Sequence, residues 1–165
     1  MSSPRSLFFA SDHAAFLLKQ ELIHKLEQSH ATQWTVQDLG PYTDTRCNYP
    51  EYAWKLACQV ANTEGSFGIL LCGTGIGVSM AANRHPDIRA ALAHNVWTAQ
   101  MAREHNNAQV LCLGARVIGS DLAWAMVERF LHSDFMGGRH AQRVDQMQAL
   151  SLDSSRSSTS SKVDP

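Results

Sequence analysis

Short apolar runs alternate along the chain with longer segments whose apolar residues recur at helical spacing. The first run, Leu7 to Ala10, precedes a segment in which Leu18, Leu22 and Leu26 recur every four residues with charged residues between them. This repeat predicts a half-buried helix. The run from Phe67 to Cys72 is continuously apolar, as expected of a central strand buried on both faces. The alternation therefore predicts βαβ units on a parallel sheet.

The same pattern continues to about residue 150. Further strands are predicted at 34–39, 88–93 and 110–113, and further helices after Pro50, at 76–83, 97–104, 120–131 and 139–150. We therefore expect a single α/β domain over residues 1–150 with a five-stranded parallel sheet. Seven of the last fifteen residues are serine. We expect residues 151–165 to form a disordered tail, because this composition buries too little apolar area to become ordered.

Charge and cysteine content exclude several classes of partner. The 14 Lys and Arg residues balance 15 Asp and Glu residues, so no broad basic surface for nucleic acid or acidic membranes is expected. No segment approaches the roughly 18 apolar residues that a membrane helix needs. The four cysteines form no C-x-x-C pair, and neither H-E-x-x-H nor a close Cys/His cluster occurs. We expect reduced thiols, no metal site and a cytoplasmic location.

A glycine-rich turn follows the third predicted strand, which ends at Cys72. In open parallel sheets, ligands bind beyond the carboxyl ends of the strands. The backbone N–H groups of the turn, residues 73–77, and of the helix that follows predict a site for an anionic group. The turn departs from the dinucleotide fingerprint, since Val78 stands where the third glycine belongs, and no Gly-Lys-Ser/Thr follows as in a P-loop.

Cys72 is either a core thiol or a reactive group. Cysteine is among the most buried residue types, which favours the first interpretation. A helix N-terminus lowers the pKa of a thiol towards neutrality, which suits a general base at pH 7. It suits a nucleophile equally, so these residues alone do not separate acyl transfer from proton abstraction.

Two histidines, His13 and His105, follow predicted strands or helices and are expected near the crevice at the carboxyl ends of the strands. Asp12 is expected either to cap the first helix or to act as an acid beside His13. A lone histidine is more often a structural residue than a functional one, so position alone assigns neither of them a role.

Three arginines follow the last strand and helix of the pattern. Arg116 comes after the fifth strand, and Arg139 and Arg143 are four residues apart on one face of the last helix. These side chains either cover an ordinary solvated face or clamp a phosphate through bidentate hydrogen bonds.

Taken together and in order, these motifs resemble those of the ribose-5-phosphate isomerase B family, which is similar to the galactose-6-phosphate isomerase subunits. The resemblance spans about Leu7 to Leu150. It is carried by Asp12-His13, Asn48-Tyr49-Pro50, Cys72-Gly73-Thr74-Gly75-Ile76-Gly77, His105-Asn106, Gly114-Ala115-Arg116-Val117-Ile118-Gly119 and Gly137-Gly138-Arg139-His140-x-x-Arg143.

The resemblance implies a Rossmann-like three-layer α/β/α sandwich that works as a homodimer, or as a dimer of dimers, with active sites shared between subunits. It also implies an aldose–ketose isomerase without a cofactor. This enzyme interconverts D-ribose 5-phosphate and D-ribulose 5-phosphate through an enediolate, in the non-oxidative branch of the pentose phosphate pathway.

The resemblance also assigns roles to individual residues. Cys72 moves a proton between C2 and C1, Thr74 helps to move the hydroxyl proton, and His105 opens the furanose ring with the help of Asp12. The substrate-binding set comprises His13, Gly73, Gly75, Gly77, Asn106, Arg116, Arg139 and Arg143. In this set the glycines cradle the oxyanion, Asn106 binds sugar hydroxyls, and His13 and the arginines hold the phosphate, some of them across the subunit interface.

Some features leave alternatives open. Asn48 stands where family members often carry aspartate, so a carboxylate role there is in doubt, and neither His94 nor His140 has a role that follows from the sequence. The motifs do not settle sugar length, which leaves isomerisation of a six-carbon 6-phosphate of the allose or galactose type. A non-catalytic sugar-phosphate-binding module with Cys72 as a core thiol, and a cysteine hydrolase, also remain.

Overall fold

Five parallel strands form the centre of the chain in a computed structural model, which describes residues 4–30 and 33–157. The strands lie in the order β2-β1-β3-β5-β4 and every neighbouring pair is parallel. In chain order the elements are β1 (Arg5–Ser11), α1 (Phe16–His30), β2 (Trp34–Asp38), α2 (Tyr49–Ala61), β3 (Phe67–Cys72), α3 (Ile76–Ala82), β4 (Ala90–Leu92), α4 (Val96–Glu104), β5 (Val110–Gly114), α5 (Ser120–Leu131) and α6 (Arg139–Ser157).

Helices cover both faces of the sheet, so that the core has two halves. Alternate residues of the central strands point to opposite faces. Leu71 belongs to the half covered by α1, α4 and α5, whereas Leu70 and Cys72 belong to the half covered by α2 and α3. All six residues of β3 are buried, which explains its unbroken apolar sequence. The predicted α/β/α sandwich with a five-stranded parallel sheet is confirmed.

Several predicted boundaries differ from those in the structure. The fourth strand was expected at 88–93 but spans only Ala90–Leu92, because it lies at the edge of the sheet and pairs with β5 alone. The last helix was expected to end at Leu150 but runs to Ser157, so residues 151–157 of the serine-rich segment are helical. Residues 158–165 lie outside the described residues, and the disordered tail stays a prediction. Within the described part of the chain, no helix is long and apolar enough to cross a membrane.

Candidate functional site

A crevice opens at the carboxyl ends of β1 and β3. These neighbouring strands lead into helices on opposite faces, since α1 follows β1 and α3 follows β3. The two connections therefore diverge, which is the arrangement that places ligand sites in open α/β sheets. The crevice is a cavity of about 500 Å³ lined by Asp12, His13, Ala14, Tyr49, Cys72, Gly73, Thr74, Ile76, Gly77, Met80 and Arg116.

Cys72 is the last residue of β3 and forms the floor of this cavity. Its side chain is 5% exposed, and its Sγ accepts a hydrogen bond of 3.1 Å from the N–H of Gly75. The glycine-rich turn thus wraps around the sulfur and directs a backbone dipole at it. The contact fixes the position of the sulfur at the border of the cavity.

The turn can take this shape because a side chain is absent at three positions. Gly75 has φ +78°, in the left-handed region, and an added Cβ would lie 2.9 Å from the carbonyl carbon of Leu113. A Cβ on Gly114, at the end of β5, would lie 2.6 Å from the backbone of Thr74, and one on Gly77 would lie 2.7 Å from the ring of Tyr49. These glycines let three segments meet around Cys72.

We expect Gly75→Ala to lower the free energy of unfolding by about 3 kcal/mol, because the change adds overpacking to left-handed strain. Gly65→Ala is the matched control: Gly65 has φ +70°, but an added Cβ there has no neighbour within 4 Å. Left-handed strain alone should cost this control about 1 kcal/mol. Urea unfolding of both variants measures the difference, and equal losses would show that Gly75 is required only for its backbone conformation.

Asp12 and His13 approach the same cavity from the end of β1. The Oδ1 of Asp12 accepts the N–H of Ala15 at 3.2 Å, which confirms the capping role, here on a 3-10 turn over His13–Ala15. Its Oδ2 has no hydrogen-bond partner within the described residues and is available to a ligand. The Nδ1 of His13 accepts the N–H of Cys47 at 3.3 Å, so a neutral His13 carries its proton on Nε2.

The loop that supplies Cys47 is fastened by a buried lysine. Lys19 has no exposed side-chain surface, and its Nζ donates to Asp38 Oδ1 at 2.5 Å and to the carbonyl of Pro41 at 2.8 Å. Burial lowers the pKa of Lys19, and the contact with Asp38 opposes that effect. The ion pair thereby fixes the start of the loop whose far end orients His13.

Arg116 contributes a positive charge to the cavity. Its backbone N–H donates to the carbonyl of Gly73 at 2.9 Å, and its guanidinium lies about where a side chain on Gly73 would point, 3.6 Å from the added Cβ. The glycine at position 73 therefore gives Arg116 access to the turn. Thr74 is exposed in the same turn, and its Oγ1 accepts the N–H of Ile76 at 3.3 Å.

His105 and Asn106 do not reach this cavity, which corrects the expectation that His105 lies near the crevice. Helix α4 runs antiparallel to the strands, so its last turn lies at their amino ends. The neighbouring Asn107 lines a cavity together with Ser66 and Phe67, where β3 begins. Since β3 has six residues, roughly 17 Å separate that edge from Cys72.

Arg139 and Arg143 lie with His105 and not with Cys72. The ring of His140, beside Arg139 at the start of α6, stacks on the ring of His105 with centroids 4.1 Å apart and planes 7° from parallel. His140 is 7% exposed, and its pKa is lowered by burial first and then by the charges of His105, Arg139 and Arg143. A neutral His140 can support His105 without repelling it.

The predicted residues thus form two groups, one at the carboxyl ends of the strands and one at their amino ends. The first group contains Asp12, His13, Cys72, Gly73, Thr74, Gly75, Gly77 and Arg116, and the second contains His105, Asn106, Arg139 and Arg143. A single chain cannot bring the two groups to one substrate. Either the second group acts elsewhere, or another copy of the chain supplies it.

Sequence reasoning missed Tyr49, whose ring packs over Gly77 at the wall of the crevice. The Asn48-Tyr49-Pro50 motif marked the position but not its role. Asn48 precedes α2 without a capping hydrogen bond from its side chain.

His94 follows β4 at the sheet edge, two strands from β3, and does not line the crevice. Among the described residues, no three His, Cys, Asp or Glu side chains form a group that could hold a metal ion.

The sequence has clear relatives. Residues 7–147 match a family model described as Ribose/Galactose Isomerase. The ribose-5-phosphate isomerase B of Escherichia coli is 40% identical over 146 residues, which are 88% of this chain and 96% of that protein. A probable ribose-5-phosphate isomerase B of Mycoplasma genitalium is 42% identical over 144 residues, covering 86% of this chain and 93% of that protein.

Solved structures agree with these relatives. The ribose-5-phosphate isomerase B of Clostridium thermocellum superposes with a TM-score of 0.86 at 40% identity, covering 90% of this chain and 99% of that one. The Mycoplasma genitalium enzyme with bound ribulose-5-phosphate gives a TM-score of 0.86 at 39% identity, with 92% and 99% of the two chains covered.

Proposed function

This chain belongs to the ribose/galactose isomerase family, and on that basis we propose how its residues carry out the reaction. The relatives that match almost its whole length are ribose-5-phosphate isomerases of type B. The chain is an aldose–ketose isomerase that interconverts D-ribose 5-phosphate and D-ribulose 5-phosphate. We place this reaction in the non-oxidative branch of the pentose phosphate pathway.

The observation that supports this mechanism best is the position of Cys72. A thiol at the floor of a crevice, with its sulfur held by a backbone N–H, is placed to take a proton from a sugar carbon above it. Cys112, on the neighbouring strand, offers a contrast within the same chain: it is fully buried, and burial raises the pKa of its thiol. Cys112 is therefore a core thiol, whereas Cys72 borders the cavity.

Cys72 acts as the base in this proposal. Its thiolate takes the proton from C2 of the open-chain aldose, and the C2–H electrons form the C1=C2 bond of an enediolate. The same thiol then returns a proton to C1, while the hydroxyl proton at O2 passes to O1 by way of Thr74. The product is an isomer of the substrate, so no oxidant or reductant is consumed.

Backbone donors of the turn at 73–77 stabilise the negative charge that develops on the sugar oxygens. The N–H of Thr74 has no acceptor among the described residues, and Thr74 lines the cavity. Preorganised donors of this kind stabilise an enediolate more than its ground state. Asp12 Oδ2 assists the opening of the furanose ring, and His13 Nε2–H and Arg116 contribute to binding of the phosphate dianion.

The remaining residues come from a second copy of the chain in this proposal. In a dimer with a two-fold axis, the Cys72 group of each copy can face the His105 group of the other copy. His105 of the partner subunit then opens the ring, Asn106 of the partner subunit binds sugar hydroxyls, and the partner's Arg139 and Arg143 complete the phosphate site. We therefore propose a homodimer, or a dimer of two such dimers, with shared active sites.

We further propose a cytoplasmic location. All four cysteines, each within the described part of the chain, are free thiols. Free thiols persist where the surroundings are reducing.

Turnover in deuterium oxide tests the proposed proton transfer. We expect the product ketose to carry deuterium at C1, because a thiol exchanges its proton with water between removal and return. Activity should survive a chelator, since no step of the proposal uses a metal. Product free of deuterium would instead indicate a hydride shift between C2 and C1, and loss of activity with chelator would replace the thiolate by a metal-dependent base.

The choice of sugar is tested in the same assay. Allose 6-phosphate and galactose 6-phosphate are compared with ribose 5-phosphate at equal concentrations. The proposal expects the largest kcat/KM for the pentose, and a larger value for either six-carbon sugar would reassign the substrate while leaving the mechanism intact.

A further inference from the structure

A second polar cavity lies at the amino ends of the strands, whereas Cys72 lies at their carboxyl ends. Its volume is about 330 Å³, at the lower end of the range for small-molecule sites. Its lining is Arg5, Val60, Ala61, Thr63, Glu64, Gly65, Ser66, Phe67, Asp87, Arg89, Arg103, Asn107 and Gln109. None of these residues belongs to either half of the active site proposed above.

Three arginines converge on this cavity from different elements. Arg5 lies on β1, Arg89 just before β4, and Arg103 in the last turn of α4. The guanidinium carbons of Arg5 and Arg103 lie 4.4 Å and 4.5 Å from the centroid of the same ring, that of Phe67. Both cations therefore contact the same aromatic side chain.

Backbone and amide oxygens fix these arginines but do not neutralise them. Arg5 Nε donates to the carbonyl of Gly65, and Arg89 donates through Nε and Nη2 to the carbonyl of Asn107. Arg103 Nη1 donates to the carbonyl of Ala108 and to Asn107 Oδ1. All of these acceptors are uncharged, so the positive charges of the three guanidinium groups persist.

Several donors remain unused. Arg103 is only 7% exposed, yet its buried Nε has no hydrogen-bond partner, and its Nη2 has no acceptor among the described residues. Arg5 keeps both terminal nitrogens, and Arg89 keeps Nη1, without an acceptor in the same part of the chain. A buried polar group without a partner is costly, so the unpartnered Nε of Arg103 calls for an explanation; Arg5 is exposed and Arg89 half-buried, so their free nitrogens can meet a ligand from the solvent.

Burial and the neighbouring charges both act on Arg103. The pKa of Arg103 is lowered to about 10, first by burial and then by the neighbouring charges of Arg5 and Arg89, with Asp134 opposing the shift. Glu64 and Asp87 also line the cavity, but no carboxylate within the described residues forms a salt bridge with any of the three arginines. Asp87 Oδ1 instead accepts a hydrogen bond from Gln148.

We propose that this cavity is a second anion site, which binds a phosphate group between Arg5, Arg89 and Arg103. A phosphate dianion matches three convergent guanidinium groups because its oxygens accept several hydrogen bonds and its charge offsets their repulsion. The ligand is either inorganic phosphate or a small phosphate monoester, whose organic part the remaining volume would hold. Its arginines differ from Arg116, Arg139 and Arg143, which are proposed to hold the substrate phosphate, although Arg89 Nε also donates to the backbone carbonyl of Asn106 at 3.1 Å.

A purely structural role for the cluster predicts something different. Contacts of Arg5 and Arg103 with Phe67 stabilise the fold through cation–π attraction whether or not an anion is present. Substituting these arginines would then change the stability of the protein without changing phosphate binding. Direct measurement of binding therefore separates the two roles.

Calorimetric titration of the full-length protein with sodium phosphate at constant ionic strength tests the proposal. The parent variant for this test carries Arg139→Gln and Arg143→Gln, which remove part of the proposed substrate phosphate site and leave the cavity unchanged. We expect it still to bind phosphate, and the further change Arg5→Gln or Arg89→Gln to weaken that binding by about tenfold or more. Arg84→Gln, at an exposed arginine outside the cavity, is the matched control and should have no effect.

Each outcome of this titration either supports or overturns the second anion site. Phosphate binding that is lost with Arg5→Gln and with Arg89→Gln, in variants whose circular dichroism matches the parent's, supports the site. Binding equal in all variants, or no more heat than an equivalent chloride titration gives, overturns it. Glycerol 3-phosphate titrated in parallel identifies the source of the phosphate group: tighter binding than inorganic phosphate indicates a monoester, and weaker binding indicates the free ion.

Discussion

Replacing Cys72 by alanine lowers kcat for ribose 5-phosphate by about 10³-fold and leaves KM nearly unchanged, if this thiol is the base of the isomerisation. The change removes the group that takes the C2 proton but none of the proposed contacts to the phosphate. Cys72→Ser should lose as much activity, because a serine hydroxyl is not appreciably ionised near pH 7. Steady-state kinetics in both directions of the reaction measure the loss.

Cys112→Ala provides the matched control for this experiment. Cys112 lies on β5, faces the same half of the core as Cys72 and is completely buried. Both alanine variants delete one buried sulfur, so both should lose about 1 kcal/mol of unfolding free energy. Only Cys72→Ala should lose turnover. Full activity in Cys72→Ala would assign the base to another group that lines the crevice, such as the carboxylate of Asp12.

The sequence predicted the crevice well because its parts are local. The apolar run that ends at Cys72, and the glycines that follow it, specify a buried strand and a tight turn within a few residues. In a parallel sheet, Asp12 after β1 and Cys72 at the end of β3 lie at the same end of the strands. The sequence did not give the strand order, and the structure brings the two residues together because β1 and β3 are neighbours.

His105 was placed at the wrong end of the strands within its own chain, although the predicted order of elements excludes that position. A helix that joins two parallel strands must run antiparallel to them, because the next strand starts at the opposite end of the sheet. His105 follows the helix predicted at 97–104 and precedes the strand predicted at 110–113, so it lies where the strands begin. The motif that contains His105 indicated a functional residue, but only the connection between strands indicates which end of the sheet it occupies.

The arginine cavity shows a second limit of the sequence. Arg5, Arg89 and Arg103 are separated by long stretches of chain and belong to no motif, so nothing in the sequence connects them. Arg5 and Arg103 share a contact with Phe67, which the apolar pattern identifies only as a strand residue. Clusters of this kind emerge from packing, and a chain of net charge −1 conceals a local excess of positive charge.

Mixing two inactive variants should restore activity if the active site is shared between subunits. Cys72→Ala disables the crevice of its own chain but keeps His105, and His105→Ala keeps its crevice but lacks the ring-opening group. Half of the dimers formed by random reassociation contain one chain of each kind, and in these one of the two sites is intact. We expect the refolded or co-expressed mixture to recover about one quarter of the parent's specific activity.

A second mixture makes this test specific for the proposed pairing of edges. Cys72→Ala combined with Arg116→Ala should recover nothing, because both residues lie in the same half-site and every site in the mixed dimer then contains one of the two lesions. Recovery in the first mixture alone indicates that His105 acts across the interface. No recovery in either mixture would mean that each site belongs to a single chain. His105 would then need another role, at the amino ends of the strands.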